Sequence, residues 1–368
     1  MNPIIWQHRN PLQHTAGKLS DGQITIGFIG GSITDGRPRH NWPEPVIAWF
    51  AETFPGKRIV VENAAIGATG SELAVFRAQR DLIDRGCDLV FIDYAVNDYD
   101  DAPDKRKRSR EGLVRKLLED GRRDVVLVHT YRQDMYSAMM ERRLPDSIAE
   151  LEELADHYGT GSVWMGLYAL EEVNKGLMRW EEWLPDGLHP TSRGSLSYGQ
   201  SVIAFLEKEL ASAQAGAHRD EQKTKESLPA PLHPKHWGLA YNLPLNEAEL
   251  EGPWVTRRFL HHTWIDQVLE TAAVGAKLSF TFEGRGLSLG FDFGKTSAEF
   301  RYRIDEGPWR SESRERPDWC GDDGWYRTSF LGDDLEPGTH RLELEVIHGD
   351  RPDCRGTNFR LGHIGVIR

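Results

Sequence analysis

Short unbroken apolar runs alternate with longer stretches of helical period from about residue 20 to residue 210. Ile24–Ile29 (ITIGFI), Arg58–Glu62 (RIVVE), Asp88–Tyr94 (DLVFIDY) and Asp124–His129 (DVVLVH) read as buried strands, with Ser162–Met165 (SVWM) a shorter fifth. Pro43–Phe54, Ser71–Ile83, Arg108–Leu118 and Asp146–Tyr158 are helical stretches between or beside them, and Ser192–Ala211 closes the series. Ser71 is a candidate N-cap. Strands alternating with helices predict an α/β domain whose parallel sheet is covered on both faces.

Residues 212–236 are polar, charged and proline-bearing, with few large apolar groups, and predict a linker. Beyond them the period becomes two. In Ala298–Ile304, Ala298, Phe300, Tyr302 and Ile304 share one face, while Glu299, Arg301 and Arg303 share the other. His340–Val346 repeats the scheme, with Leu342, Leu344 and Val346 inward. Lys277–Phe282, Leu287–Phe293 and Gly365–Arg368 are further strands, separated by turn signals at residues 283–286, 305–307 and 337–338. Many half-buried strands with frequent turns predict an all-β sandwich. The expected organisation is an α/β domain over 20–211, a linker over 212–236 and a β-sandwich over 237–368.

Composition narrows the function. With 45 Lys+Arg against 57 Asp+Glu the 368-residue chain carries a net charge of −12, which disfavours general nucleic-acid binding. No apolar run approaches a membrane span. The first residues contain no apolar core of a signal peptide, so a cytoplasmic location is expected. Three cysteines, Cys87, Cys320 and Cys354, do not make a disulfide scaffold, although a Cys320–Cys354 pair stays open.

Four segments carry candidate chemistry. Gly30-Gly31-Ser32-Ile33-Thr34 follows the first strand, where ligands bind in open α/β sheets, and its glycines let the backbone turn sharply and clear space around the serine hydroxyl. Asn63–Gly70 (NAAIGATG) follows the second, and Gly67 could offer a backbone N–H to an anion. Tyr94-Ala95-Val96-Asn97-Asp98 follows the third, and the Asn97 amide can donate to an oxyanion. In Asp186-Gly187-Leu188-His189-Pro190 a carboxylate three residues before an imidazole can fix its tautomer. Taken singly, each segment is also explained as an ordinary turn.

Together, in this order, three at strand ends and the fourth in the loop before the last helix, the four segments resemble the blocks of the SGNH (GDSL-type) hydrolase superfamily over about residues 20–210. The resemblance implies a three-layer α/β/α fold. It also implies Ser32 as nucleophile, His189 as its general base and Asp186 as the residue orienting His189. The N–H groups of Ser32 and Gly67 and the Asn97 side chain would form the oxyanion hole. Two departures stand out. Gly31 replaces the usual acidic residue before the serine, and Ala95 replaces the glycine before the asparagine, adding a methyl group beside the site. These bear on acyl and alcohol preference, since no catalytic atom is lost. The β-rich region resembles the jelly-roll modules of some SGNH-type carbohydrate esterases, in Phe282–Leu289 (FEGRGLSL), Phe300–Asp305 and Leu335–Leu342 (LEPGTHRL). In one such family the jelly roll precedes the catalytic domain, whereas here it follows.

Other features read as structural. Gly294-Lys295-Thr296 lacks the earlier glycine of a phosphate-binding loop, that position being Leu289. His261-His262 reads as a strand edge, and Lys105–Arg110 (KRKRSR) as a solvated helix start that could also steer an anion. Six tryptophans, Trp237, Trp254, Trp264, Trp309, Trp319 and Trp325, fall in the second domain, and the last three could be exposed to stack on sugar rings. The acidic loops Asp318–Asp323 and Gly332–Asp334 lack EF-hand spacing, so no metal and no cofactor are expected. The leading expectation is a serine esterase removing short acyl groups, acetyl foremost, from a small-molecule or oligosaccharide ester. The alternatives are a general arylesterase, lipase or thioesterase of the same superfamily, and a non-catalytic glycan-binding protein. No nucleic-acid or membrane partner is expected, and homo-oligomerisation is left open.

Overall fold

Ile24, Ile26, Phe28 and Ile29 are all excluded from solvent, as expected of a strand covered on both faces. They belong to β2 (Gln23–Gly30), the hub of a six-stranded sheet. The other strands are β1 (Trp6–Gln7), β3 (Arg58–Asn63), β4 (Leu89–Asp93), β5 (Asp124–Val128) and β6 (Gly161–Val163), in the order β1-β6-β5-β4-β2-β3. This computed structural model describes residues 4–35, 41–216, 227–262, 264–322 and 324–368. The α/β expectation holds, with all five predicted strands present, but the sheet is mixed. β2 to β6 run parallel, and β1 pairs antiparallel with β6, Trp6 opposite Val163. A two-residue strand has no alternation to read, so the fold begins earlier than residue 20. Trp6 donates its indole N–H to the Ser201 carbonyl at 2.8 Å, and Arg9 pairs with Glu152 at 2.6 Å.

The chain leaves β2 for the edge strand β3, then crosses back past β2 to β4. That reversal is a topological switch point, and loops following strands on its two sides open a crevice at their carboxyl ends. The loops after β2, β3 and β4 therefore meet there. Helices Gln13–Asp21, Pro43–Thr53 and Met165–Asn174 pack with Ser192–Gly216, whereas Ser71–Ala78, Pro103–Leu118 and Asp146–Tyr158 form a second group, giving the expected three layers. Among the described residues no helix is long and apolar enough to cross a membrane.

Two helix starts differ from expectation. Ser71 is the first residue of its helix, not the N-cap. Gly70 caps it, and the Ser71 N–H is taken by the Asp98 carboxylate at 2.8 Å. The helix predicted from Arg108 begins at Pro103, so it contains the basic run. That run is not a solvated face. Lys105 pairs with Glu72 and Asp101, Arg106 bonds Glu150 at 2.7 and 2.8 Å, and Arg110 is buried. A run of like charges does not reveal which arginines point inward, because their partners lie outside the run.

The expected linker divides three ways. Its first residues extend the last helix to Gly216, residues 217–226 lie outside the described residues, and residues 227–236 lie on the first unit. Glu111 accepts the N–H groups of Leu232 and His233 at 2.6 and 2.7 Å, and Arg115 donates to the Pro229 carbonyl at 2.8 Å. Trp237 is fully buried near Phe76. The first unit therefore spans Met1–Gly238 and the second Leu239–Arg368, which moves Trp237 out of the sandwich. Gly112 makes the docking possible, since a Cβ there would come within 2.6–2.8 Å of three Trp237 backbone atoms. Gly112→Ala should destabilise the first unit by about 1–3 kcal/mol through this overlap. Thermal unfolding would show it as a lower Tm, and an unchanged Tm would contradict it.

Among the described residues of the second unit the strands pair antiparallel, apart from one isolated parallel bridge, Ser297 to Asn358. One sheet runs Trp325–Gly332, Gly286–Phe293, Phe359–Ile367, Gln267–Thr271, Val255–Arg258, with Tyr241–Leu243 also on Phe359–Ile367. The other runs Arg310–Glu312, Glu299–Ile304, Gly338–Ile347, Lys277–Gly284, Glu249–Glu251. Leu278, Phe280, Leu289, Phe291, Phe300, Leu342, Leu344 and Val346 fill the core, each contributing roughly 1.5–3 kcal/mol by burial. On the outer face Arg301 lies opposite Glu345 and Arg303 opposite Glu343, each forming an ion pair. The last strand starts at Phe359, not Gly365. A register shift near Gly290 and Phe291 breaks the alternation that would have revealed it.

The remaining singular features resolve as follows. Cys320 and Cys354 are both free and buried, so the open pairing is not made. His262 lies in a bend rather than on a strand edge. It is buried, 2.9 Å from Asp292, and stacked on Trp264. Trp319 is 64% exposed and Trp309 37% exposed, while Trp325 is half-buried 4.5 Å from Trp319. Asp323 of the acidic loop lies outside the described residues.

Candidate active site

The first of the four segments ends the central strand. β2 is flanked by β3, with Phe28 opposite Asn63, and by β4, with Gly30 opposite Asp93. The turn holding Ser32 therefore lies between the loops that carry Gly67 and Asn97. The two glycines before Ser32 serve close approach rather than a left-handed turn, since neither has a positive φ. A Cβ on Gly30 would come within 2.8 Å of Thr34 Oγ1, and one on Gly31 within 2.0 Å of Asn97 Oδ1. The Asn97 side chain occupies the space that a side chain at residue 31 would fill.

Ser32 Oγ lies 2.9 Å from His189 Nε2. On the far side of the ring, His189 Nδ1 is 2.8 Å from Asp186 Oδ2. The other Asp186 oxygen accepts the backbone N–H groups of Leu188 and His189 at 2.9 and 2.7 Å. Burial pushes the Asp186 carboxyl upward, but the bonds from the His189 backbone, its imidazole and the Leu188 N–H outweigh it and hold the group below its ordinary value. A hydroxyl on an imidazole that is itself held by an ionised carboxylate can pass its proton to the ring. Gly67 sits beside the serine, where a Cβ would lie 3.6 Å from Ser32 Cβ. The next residue, Ala68, takes a left-handed φ of 58°, a strained conformation for a residue with a side chain.

Several supporting residues were not foreseen. Asn41 donates its amide to the Ser32 carbonyl at 3.0 Å, and Asn63 donates to the Thr34 carbonyl at 3.0 Å. Gln133 donates its backbone N–H to Gly187 at 3.0 Å, tying the loop after β5 to the His189 loop. Asp93, fully buried at the end of β4, accepts the hydroxyls of Thr34 and Thr130, both at 2.8 Å. The Trp42 indole donates to the same Thr34 hydroxyl at 2.9 Å. The Ser32 turn is thus pinned from below. Apolar neighbours hid Asp93 from a sequence reading, because the run around it reads simply as a strand.

Burial pushes the Asp93 carboxyl up to about 6, against the pull of both threonine hydroxyls and His129. A folded value above the unfolded one means that its stabilising contribution is full below about pH 4 and is lost as the pH rises through about 6. Asp93→Asn, which cannot ionise, should remove that loss. The parent should fall below the variant in Tm between pH 4 and pH 7, by roughly 1–3 kcal/mol of stability. Parallel Tm curves would contradict this reading. Among the described residues no group of three or more His, Cys, Asp or Glu side chains is arranged to hold a metal ion.

Residues 28–195 match the model of the GDSL-like Lipase/Acylhydrolase family. Two solved structures share the fold of nearly the whole chain: a two-domain esterase active on acetylated mannans, with mannopentaose and without it. They superpose with TM-scores of 0.80 and 0.78 at 21% identity, covering 98% of this chain and 96% of theirs. No curated protein sequence matches. The match runs through Ser32, Gly67, Asn97, Asp186 and His189, so residues 28–195 of the first unit are similar to a GDSL-like lipase/acylhydrolase domain, and the chain is a carboxylic ester hydrolase.

Proposed function

We propose that the chain removes short acyl groups, acetyl foremost, from a saccharide by a serine mechanism. The observation that carries this is the continuous hydrogen-bonded line from Ser32 Oγ through His189 to Asp186, at 2.9 and 2.8 Å. Ser32 Oγ attacks the ester carbonyl carbon while His189 Nε2 takes its proton. The tetrahedral oxyanion is held by the N–H groups of Ser32 and Gly67 and by the Asn97 amide. Collapse expels the sugar alcohol, which receives the proton from His189 and leaves an acetyl ester on Ser32. Water, deprotonated by His189, then repeats the sequence, releasing acetate and restoring the serine.

Two features support a small acyl group and a polar alcohol. Asn97 lies over Gly31 and Asp35 borders Gly67, which sets two polar side chains beside the serine turn. The fold is that of an esterase acting on acetylated mannans, which makes acetylated manno-oligosaccharides the first substrates to try, beside acetylated xylo-oligosaccharides. Acetate release from these sugars, with p-nitrophenyl esters of increasing chain length alongside, tests the reading. Acetate should be released from the sugars, and turnover of the synthetic esters should fall as the chain lengthens. Preference for long acyl chains, or turnover confined to aryl esters, would overturn the saccharide assignment.

A further inference from the structure

Beneath Asn97 lies a buried polar network that the hydrolytic steps do not use. Arg110, on helix Pro103–Leu118, is 3% exposed and Asp98 is fully buried. Arg110 Nε donates to Asp98 Oδ2 at 2.8 Å, and the other Asp98 oxygen takes the Ser71 N–H, also at 2.8 Å. Arg110 Nη2 donates to the Tyr94 carbonyl and to Ser147 Oγ, both at 2.8 Å, and Nη1 to the Ser147 carbonyl at 3.0 Å. Ser147 Oγ in turn donates to the Ala95 carbonyl at 2.6 Å. One guanidinium and one hydroxyl thereby hold residues 94, 95 and 98, on both sides of Asn97. Gly70 permits the arrangement, since a Cβ there would come within 2.4 Å of Asp98 Oδ1.

We propose that Arg110, acting through Asp98 and together with Ser147, is a positioning residue that fixes the Asn97 amide beside Ser32. The proposal rests on the reading of Asn97 as an oxyanion donor. The planar fork of arginine reaches four acceptors at fixed angles, which the point charge of lysine does not reproduce. Displacing a catalytic group by about 1 Å can cost on the order of 100-fold in rate.

The test places Arg110→Lys and Ser147→Ala each in the parent and in the Asn97→Ala background. It reads kcat and KM for p-nitrophenyl acetate and the Tm of every variant. Arg110→Lys should lower kcat about 10- to 100-fold with KM changed less than about threefold. Neither substitution should lower kcat further once Asn97 is alanine, because the group they position is gone. Should Arg110→Lys fail to fold, Ser147→Ala, which removes one hydroxyl, carries the same comparison with a smaller loss. A loss of undiminished size in the Asn97→Ala background, or an unchanged kcat in Arg110→Lys, would overturn the positioning role and leave the oxyanion reading intact. Parental activity in Asn97→Ala itself would overturn both.

Discussion

Ser32→Ala is expected to lower kcat for acetyl esters by about 10⁴- to 10⁶-fold while leaving the Tm near that of the parent. The size follows from the chemistry. Without Oγ there is no atom 2.9 Å from His189 Nε2 to attack the carbonyl, and no acyl-enzyme can form. What survives is the stabilisation of a water-derived oxyanion by the groups around it, which keeps the rate above that of water. The fold is unaffected because Ser32 is half-buried and its carbonyl, not its hydroxyl, accepts the Asn41 amide. A Ser32→Ala protein with a tenth of parental activity would move the nucleophile elsewhere.

The second large effect is expected from a residue that carries no functional group. Gly31→Ala should lower kcat by about 100- to 1,000-fold, the loss typical of removing one oxyanion donor. The added methyl would overlap Asn97, whose Oδ1, Nδ2 and Cγ lie 2.0, 2.5 and 2.4 Å from the Cβ position. The asparagine tip must leave, since the backbone of residue 31 is fixed by its carbonyl bonds to the N–H groups of Thr34 and Asp35. Gly31→Ala should therefore mimic Asn97→Ala, and the double variant should be no worse than either single one. Kinetics of the three variants check this. Additive losses would mean that Gly31 acts by some other route, and a parental rate in Gly31→Ala would show that Asn97 can donate from a displaced position.

These two residues also show what could be read from the sequence. Ser32, Asn97, Asp186 and His189 were legible because each stands at a strand end or in a short loop whose position the apolar runs announce. Strand order brings the loops of Ser32 and Asn97 side by side, and His189 reaches Ser32 from the loop before the last helix. The role of Gly31 was not legible. A glycine in a turn suggests φ freedom and room around the hydroxyl, and only the three-dimensional proximity of Asn97 shows that the room is filled by its side chain. The run Lys105–Arg110 misled for a related reason. Its charges read as solvated, whereas Arg110 is neutralised by Asp98, twelve residues away, and Arg106 by Glu150, forty-four away. His262 and Asp292 are a like case in the sandwich, a pair separated by thirty residues and buried together. Period-two alternation located five of the eleven described sandwich strands, and it began the last of them at Gly365 rather than Phe359 because the register shifts there. Strands as short as Trp6–Gln7 carry no period at all.

The central claim is that Ser32 carries the acyl group, and intact-peptide mass spectrometry tests it most directly. The enzyme is mixed with p-nitrophenyl acetate, quenched rapidly in acid and digested. The account predicts the mass of one acetyl group on the peptide containing Ser32, appearing within the first turnover and absent from Ser32→Ala. Full hydrolytic activity with no adduct on that peptide at any time, or an adduct on another residue that persists in Ser32→Ala, would contradict it.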